Sequence, residues 1–335
     1  MFANIKDFFA ISVLSVTAIS NTGFARAGYV IVDEDVATSQ EWHADMIYLV
    51  AAEVHILQGV TLRIGDGADV RIINGRQLPG SLGSNALVFD TGSNLIAKKF
   101  QVAAADEDGN LVSEANNAGI WFLGSARLAA KDGLEVTKIG NSFRSSFKAD
   151  VIETYFLGRP DKDSSMRHHS GDDDSEFGDD IDGISLLGIG KSEWRIKSIK
   201  SVASGDDGFD VTNSRISVAS LDIENPTEDG MNISSSNIEV KQYLRIDMTR
   251  SKAPDRGLFD FEVDDGPTRV ILHKDCIIDL AGYFGDELVI ESTDMPMPSV
   301  DRYYRFAGSL DLDSTEIYLN DEMNPQTLGS VNSGQ

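Results

Sequence analysis

The chain has 335 residues, with 54 Asp and Glu against 29 Lys and Arg, a formal net charge of −25, 30 glycines, 8 prolines and a single cysteine, Cys276. A hydrophobic share of 41% at this length supplies a large core and argues against wholesale disorder. The negative charge argues against a nucleic-acid partner, since phosphates need Lys and Arg to displace their counterions, and one thiol excludes a Cys-rich zinc site.

At the N-terminus, Phe8 to Ile19 form an apolar run, followed by Asn21-Thr22-Gly23 and the small-x-small triplet Ala25-Arg26-Ala27. The run is too short for an ordinary membrane span and has the shape of a secretory h-region with its cleavage site. Residues 1–27 are therefore expected to be a signal peptide, with a buried N-terminal helix as the plainer reading. Their removal leaves the remainder, from residue 28, one unit more negative. No later segment has the length of a membrane span. An exported chain without disulfide potential suits a bacterial periplasm or exterior, so the expected location is secreted or periplasmic.

Beyond residue 30, helical periodicity gives way to short alternating apolar runs, such as Val54 to Ile64 and Ala68 to Ile72. Four segments repeat a glycine followed by apolar alternation: Asp182-Gly183-Ile184-Ser185-Leu186, Asp207-Gly208-Phe209-Asp210-Val211, Asp229-Gly230-Met231-Asn232-Ile233 and Arg256-Gly257-Leu258-Phe259-Asp260-Phe261. Their glycines step by 25, 22 and 27 residues. After them come further alternations, such as Ile216 to Ile223 and Ile238 to Val240. A less polar pair, Ala86 to Phe89 and Ala118 to Phe122, precedes them. This period suits one coil of a parallel β-helix, in which inward apolar residues stack into a column and glycines admit the turns. The regular Leu framework of leucine-rich repeats is absent, and an antiparallel sandwich would show hairpin turns instead. The expected fold class is all-β: a right-handed parallel β-helix solenoid with one long acidic insertion between coils.

Trp42 to Ile73, with Trp42-His43-Ala44-Asp45, Tyr48-Leu49 and Gly59 to Ile64, resembles the opening rungs of exported bacterial right-handed β-helix proteins of the pectin-lyase-like superfamily. Asp180-Ile181-Asp182-Gly183 through Gly205-Asp206-Asp207-Gly208-Phe209-Asp210 is similar to a segment that recurs in the same group. The likeness spans about residues 40 to 265 and implies the fold more than an activity.

The coils are interrupted over 158–180, which carries Arg167-His168-His169, Asp172-Asp173-Asp174 and Asp179-Asp180. A long excursion between coils is expected to be a functional loop or a disordered one. The expected organisation is a single domain over 28–323, with 158–180 inserted and a flexible tail over 324–335.

Chemistry concentrates on the carboxylates Asp182, Asp206, Asp207, Asp210, Asp229 and Asp260. Aligned side chains on adjacent coils stand about 4.8 Å apart. Such a stack must keep a proton, recruit a cation or point its members apart. The order Asp182-Gly183, then Asp206-Asp207, resembles the aspartate layout of polygalacturonase-type inverting glycoside hydrolases, whose catalytic carboxylates would match Asp182, Asp206 and Asp207. Where that family carries Gly-His-Gly, this chain reads Glu228-Asp229-Gly230, and of its basic Arg-x-Lys only Arg256 is near. Asp-Gly turns also occur as plain corner chemistry, with Asp capping the turn and Gly accepting its dihedrals.

The expected catalytic set is thus Asp182, Asp206, Asp207, Asp229 and Arg256. Calcium is the expected cofactor, with Asp206, Asp207, Asp179 and Asp180 as hard oxygen ligands, although no EF-hand spacing is present. Trp194, among Ser192, Glu193 and Arg195, is the expected exposed sugar platform, whereas Trp121 lies in an apolar strand and reads as core. Arg215, Asp210, Asn232, Asp260, His168 and His169 complete the expected substrate contacts. The expected function is cleavage of an extracellular polysaccharide, by hydrolysis or calcium-assisted β-elimination. The alternative is a non-catalytic glycan-binding or adhesin-like protein. No nucleic-acid partner and no membrane span are expected.

Overall fold

The computed structural model describes residues 28–74, 85–115, 118–125, 144–159, 182–251, 257–262, 268–273, 276–281, 290–291, 302–306 and 309–311. The expected signal peptide, all but the first two residues of the 158–180 insertion, and the tail lie outside them. The described residues form an all-β structure without helices, and every pairing between its strands is parallel. No helix is long and apolar enough to cross a membrane.

Two sheets are built, one of 15 strands and one of 8. The smaller sheet takes its strands in chain order: Glu53–Ile56, Asn85–Phe89, Ala118–Leu123, Ile184–Leu187, Asp210–Thr212, Met231–Ser234, Phe259–Glu262 and Ile290–Glu291. Between these visits the chain adds strands to the larger sheet. Among them, Ser146–Tyr155, Trp194–Val202, Arg215–Glu224 and Asn237–Asp247 are successive neighbours. Parallel strands cannot be joined by tight hairpins, and this chain joins them by crossing to the other sheet and back.

The register explains the sequence repeat. Ile56, Phe89, Phe122, Leu186, Val211, Ile233 and Phe261 pair in one column across the smaller sheet. The first six are fully buried in the main core, and the Phe89 and Phe122 rings stack at 5.0 Å. Burying each such side chain contributes about 1.5–3 kcal/mol. Strand period fixes the rest: the residues between inward positions fall on the outer face.

The corners are equally regular. Tyr155, Val202 and Glu224 are register partners, and the residue after each, Phe156, Ala203 and Asn225, has φ of 56°, 53° and 52°. At a second corner Leu187, Thr212 and Ser234 align, followed by Gly188, Asn213 and Ser235 at φ of 65°, 49° and 49°. A single left-handed residue at each corner swings the chain from one sheet to the other. For the non-glycine residues this conformation is held by the packing of the repeats.

Candidate functional site: an aspartate cluster at one corner

The corner over residues 203–209 joins Trp194–Val202 to Asp210–Thr212 and carries Asp206-Asp207-Gly208. One repeat earlier, the same corner is split between Leu157-Gly158-Arg159 and Asp182-Gly183. The amide of Gly205 donates to Leu157 O at 2.7 Å, and that of Ile120 to Gly183 O at 3.1 Å. One repeat later, the amide of Gly208 donates to Asp229 O at 2.9 Å.

The Asp-Gly repeat has a packing cause. A Cβ on Gly208 would stand 2.3 Å from Ile223 Cγ2 and 2.6 Å from Gly230 O. On Gly230 it would stand 2.6 Å from Ile246 Cγ2. Neither glycine has a positive φ, so close approach, not backbone freedom, excludes a side chain. The preceding aspartates brace the stack. Asp207 Oδ1 accepts the backbone N–H of Asp229 at 2.9 Å, and Asp229 Oδ1 accepts that of Gly257.

Asp182, Asp206 and Asp207 converge: one carboxylate oxygen from each lies within 4.8 Å of the other two. Asp206 and Asp207 are buried and Asp182 is half-buried. Ser185 Oγ donates to Asp182 Oδ2 at 3.3 Å. Asp206 Oδ1 is buried with no hydrogen-bond partner. Two unit charges 4.8 Å apart repel by about 3–4 kcal/mol at an effective dielectric near 20. Such a cluster therefore keeps a proton or takes up a cation. Oxygens on opposite sides of a calcium ion stand about 4.6–5.2 Å apart, so the span matches one hard divalent ion.

Three residues beyond Asp182, Asp207, Asp229 and Gly257 respectively, Ser185, Asp210, Asn232 and Asp260 pair in one column on the smaller sheet, out of phase with the core column. Ser185, Asp210 and Asp260 are buried, Asn232 is half-buried, and Asn232 Oδ1 lacks a partner. The expected contacts Asp210, Asn232 and Asp260 thus share one line beside the cluster. Asp229 is one repeat on, outside the three-residue group. Arg215 is exposed and lies past the opposite end of Asp210–Thr212. Arg256, His168, His169, Asp179 and Asp180 lie outside the described residues.

Trp194 is a correction: it is no exposed platform. It is 4% exposed and packs edge-on against Phe122 at 5.5 Å. It shares inward phase with Ile196, while its exposed neighbour Arg195 takes the outward phase between them. Trp121 is buried in a hydrophobic core cluster, as its apolar strand implies, but in a second and smaller one. Ile120 and Phe122 occupy the core phase, and Trp121 lies buried on the other face with Ala86, Val88 and Leu187. It lies over Gly119, where a Cβ would stand 2.8 Å from its Nε1.

Two residues escape a reading based on the repeat alone. Glu193 is buried and accepts the backbone N–H groups of Gly190 at 2.7 Å, Ser145 at 3.0 Å and Ser125 at 3.2 Å. Arg159 is buried at the aspartate corner, and its Nε and Nη2 have no hydrogen-bond partner. The signal for Arg159 was the glycine before it, Gly158, the repeat-equivalent of Gly205. The sequence matches no family model, no curated protein and no solved structure.

Proposed function

We propose that this chain is an exported polysaccharide-degrading enzyme built on a right-handed parallel β-helix of the pectin-lyase-like kind, with Asp182, Asp206 and Asp207 as its reaction centre. The leader-like segment over 1–27 and the bacterial resemblance support action outside the cytoplasm. The observation that carries the reading is the convergence of three carboxylates from two consecutive repeats within 4.8 Å.

The roles follow from what each carboxylate touches. A backbone N–H donated to Asp207 Oδ1 favours its ionised form, as the Ser185 hydroxyl does for Asp182. Asp206 Oδ1 is buried without a donor, which favours the protonated form. Asp206 is accordingly the general acid that protonates the glycosidic oxygen, and Asp182 or Asp207 the carboxylate that activates water. Calcium, where it binds, would be held by Asp206 and Asp207 with Asp182, and it would neutralise the cluster and favour β-elimination from an acidic sugar.

The bracing of Asp229 by Asp207, and of Gly257 by Asp229, favours a second reading. In it the aspartates hold the corners and the elongated surface binds glycan without turnover. Neutral, uronate and sulfated polysaccharides, incubated with calcium or with chelator, separate these readings. Reducing ends without ultraviolet-absorbing product, lost in Asp206→Asn, are expected of the hydrolase. Both signals rising only with calcium indicate a lyase. Silence on every polymer with retained binding to one overturns the enzyme and leaves the binder.

A further inference from the structure

Arg159 is 6% exposed, and its Nε and Nη2 have no hydrogen-bond partner. These two N–H groups form one edge of the guanidinium, the edge that meets both oxygens of a carboxylate or sulfate side by side. A guanidinium held in a protein interior with that edge unmet is costly, and the cost is relieved by an anion.

The place of Arg159 in the fold ties it to the aspartates. Gly205 donates its amide to Leu157 O at 2.7 Å, and a Cβ on Gly205 would stand 2.8 Å from the backbone N of Arg159. This sets Arg159 beside Asp206 at about one strand spacing, near 4.8 Å. Asp182, one repeat before Asp207 in the same register, lies in the cluster with Asp206 and Asp207. One fixed cation therefore shares the corner with three carboxylates.

We propose that Arg159 is an anion-binding group that receives a carboxylate or sulfate substituent of a saccharide held at the cluster, so that the substrate is an acidic glycan. This rests on the reading of the cluster as a glycan-cleaving centre. Carboxylates alone repel such a substrate, and the guanidinium edge supplies the attraction and fixes the orientation of the charged ring.

Calorimetric titration of the full-length protein with an oligouronate, its carboxyl-reduced counterpart and a sulfated oligosaccharide of equal length tests the proposal. The wild type is expected to bind one of the two acidic ligands at least tenfold more tightly than the neutral one, and the preferred one tells carboxylate from sulfate. Arg159→Gln is expected to weaken that ligand about 10- to 100-fold and leave the neutral ligand unchanged. Arg159→Lys, which keeps the charge but not the paired donors, is expected to recover part of the preference and decides the matter if Arg159→Gln fails to fold. Equal binding of acidic and neutral ligands, binding of neither acidic ligand, or an acidic preference that survives both variants overturns the proposal. Arg159-dependent acidic binding without cleavage by the wild type overturns only the enzymatic reading. Cleavage that ignores Arg159 overturns only the anion site.

Discussion

Asp207 accepts the backbone amide of Asp229 at 2.9 Å, one repeat on, and Asp229 does the same for Gly257. The aspartates of the repeat are therefore not equivalent. Asp229 is committed to the backbone of its neighbour, Asp207 is both brace and cluster member, and Asp206 Oδ1 has no such task.

That difference separates two variants. Asp229→Ala removes an acceptor from a buried amide and is expected to destabilise by about 1–3 kcal/mol, read as a lower midpoint of denaturant unfolding. Asp206→Asn leaves the braces intact and replaces a protonated carboxyl with an equally neutral amide, so its unfolding midpoint is expected to stay level. Cleavage by Asp206→Asn is expected to drop by about 10²- to 10⁴-fold. A large loss of stability in Asp206→Asn with no loss of cleavage would make Asp206 structural too.

The repeat itself was legible because glycine marks it. Gly183, Gly208 and Gly230 recur where a side chain would meet the neighbouring repeat, as Ile223 does at Gly208, and apolar alternation after each one locates the core column. The clustering of Asp182 with Asp206 and Asp207 was legible on the same ground, since aligned glycines align the aspartates before them. Trp194 was misjudged because its sequence neighbours are polar, while in a strand only the residues two away share its face. Arg159 stayed hidden because it stands 46 residues before Gly205 in sequence, although a Cβ on Gly205 would lie 2.8 Å from its backbone N.

The corner glycines give a second prediction. Gly208→Ala would set a Cβ 2.3 Å from Ile223 Cγ2, an overlap expected to cost about 1–3 kcal/mol. Ala203→Gly is expected to act oppositely. Ala203 holds φ at 53°, so glycine relieves strain of about 1–2 kcal/mol against the extra entropy of its unfolded chain, for a net gain of up to about 1 kcal/mol. Unfolding midpoints of the two single variants check both signs.

On the larger sheet, Glu153, Lys200, Asp222, Arg245 and Asp279 are successive register partners and alternate in charge. Arg245 reaches Asp222 at 2.9 Å and Glu224 at 2.6 Å, and Lys200 reaches Glu224 at 3.0 Å. Burial pushes the Glu224 carboxyl upward, but hydrogen bonds from Lys200 and Arg245 outweigh it and hold the group below its ordinary value. A depressed carboxyl contributes stability that is present above its unfolded value and lost as pH falls through the folded one. Arg245→Met is therefore expected to destabilise by about 1–2 kcal/mol at neutral pH, allowing for screening at these part-exposed side chains. The difference from wild type should shrink in acid, which paired urea titrations at neutral and acid pH measure.

His55 gives the opposite pH signature. Its Nδ1 lies 2.7 Å from Asp90 Oδ1 and its Nε2 2.9 Å from Glu53 Oε1, so both ring nitrogens face carboxylates. The hydrogen bond to Asp90, then that to Glu53, raise the imidazole from 6.5 to about 10, against the lowering effect of burial. The imidazolium is thus the folded form at neutral pH, and with both nitrogens engaged His55 has no free site for a metal or a transferred proton. Because the folded value is the higher one, its contribution is complete below the unfolded value of 6.5 and is lost as pH rises through about 10. His55→Gln keeps a side chain that hydrogen-bonds but removes the charge. The variant is expected to be less stable than wild type at mildly acidic and neutral pH, and the gap should close by a pH just above that folded value. Thermal unfolding of both proteins across this range measures the gap, and a gap that stays constant with pH would assign His55 to packing alone.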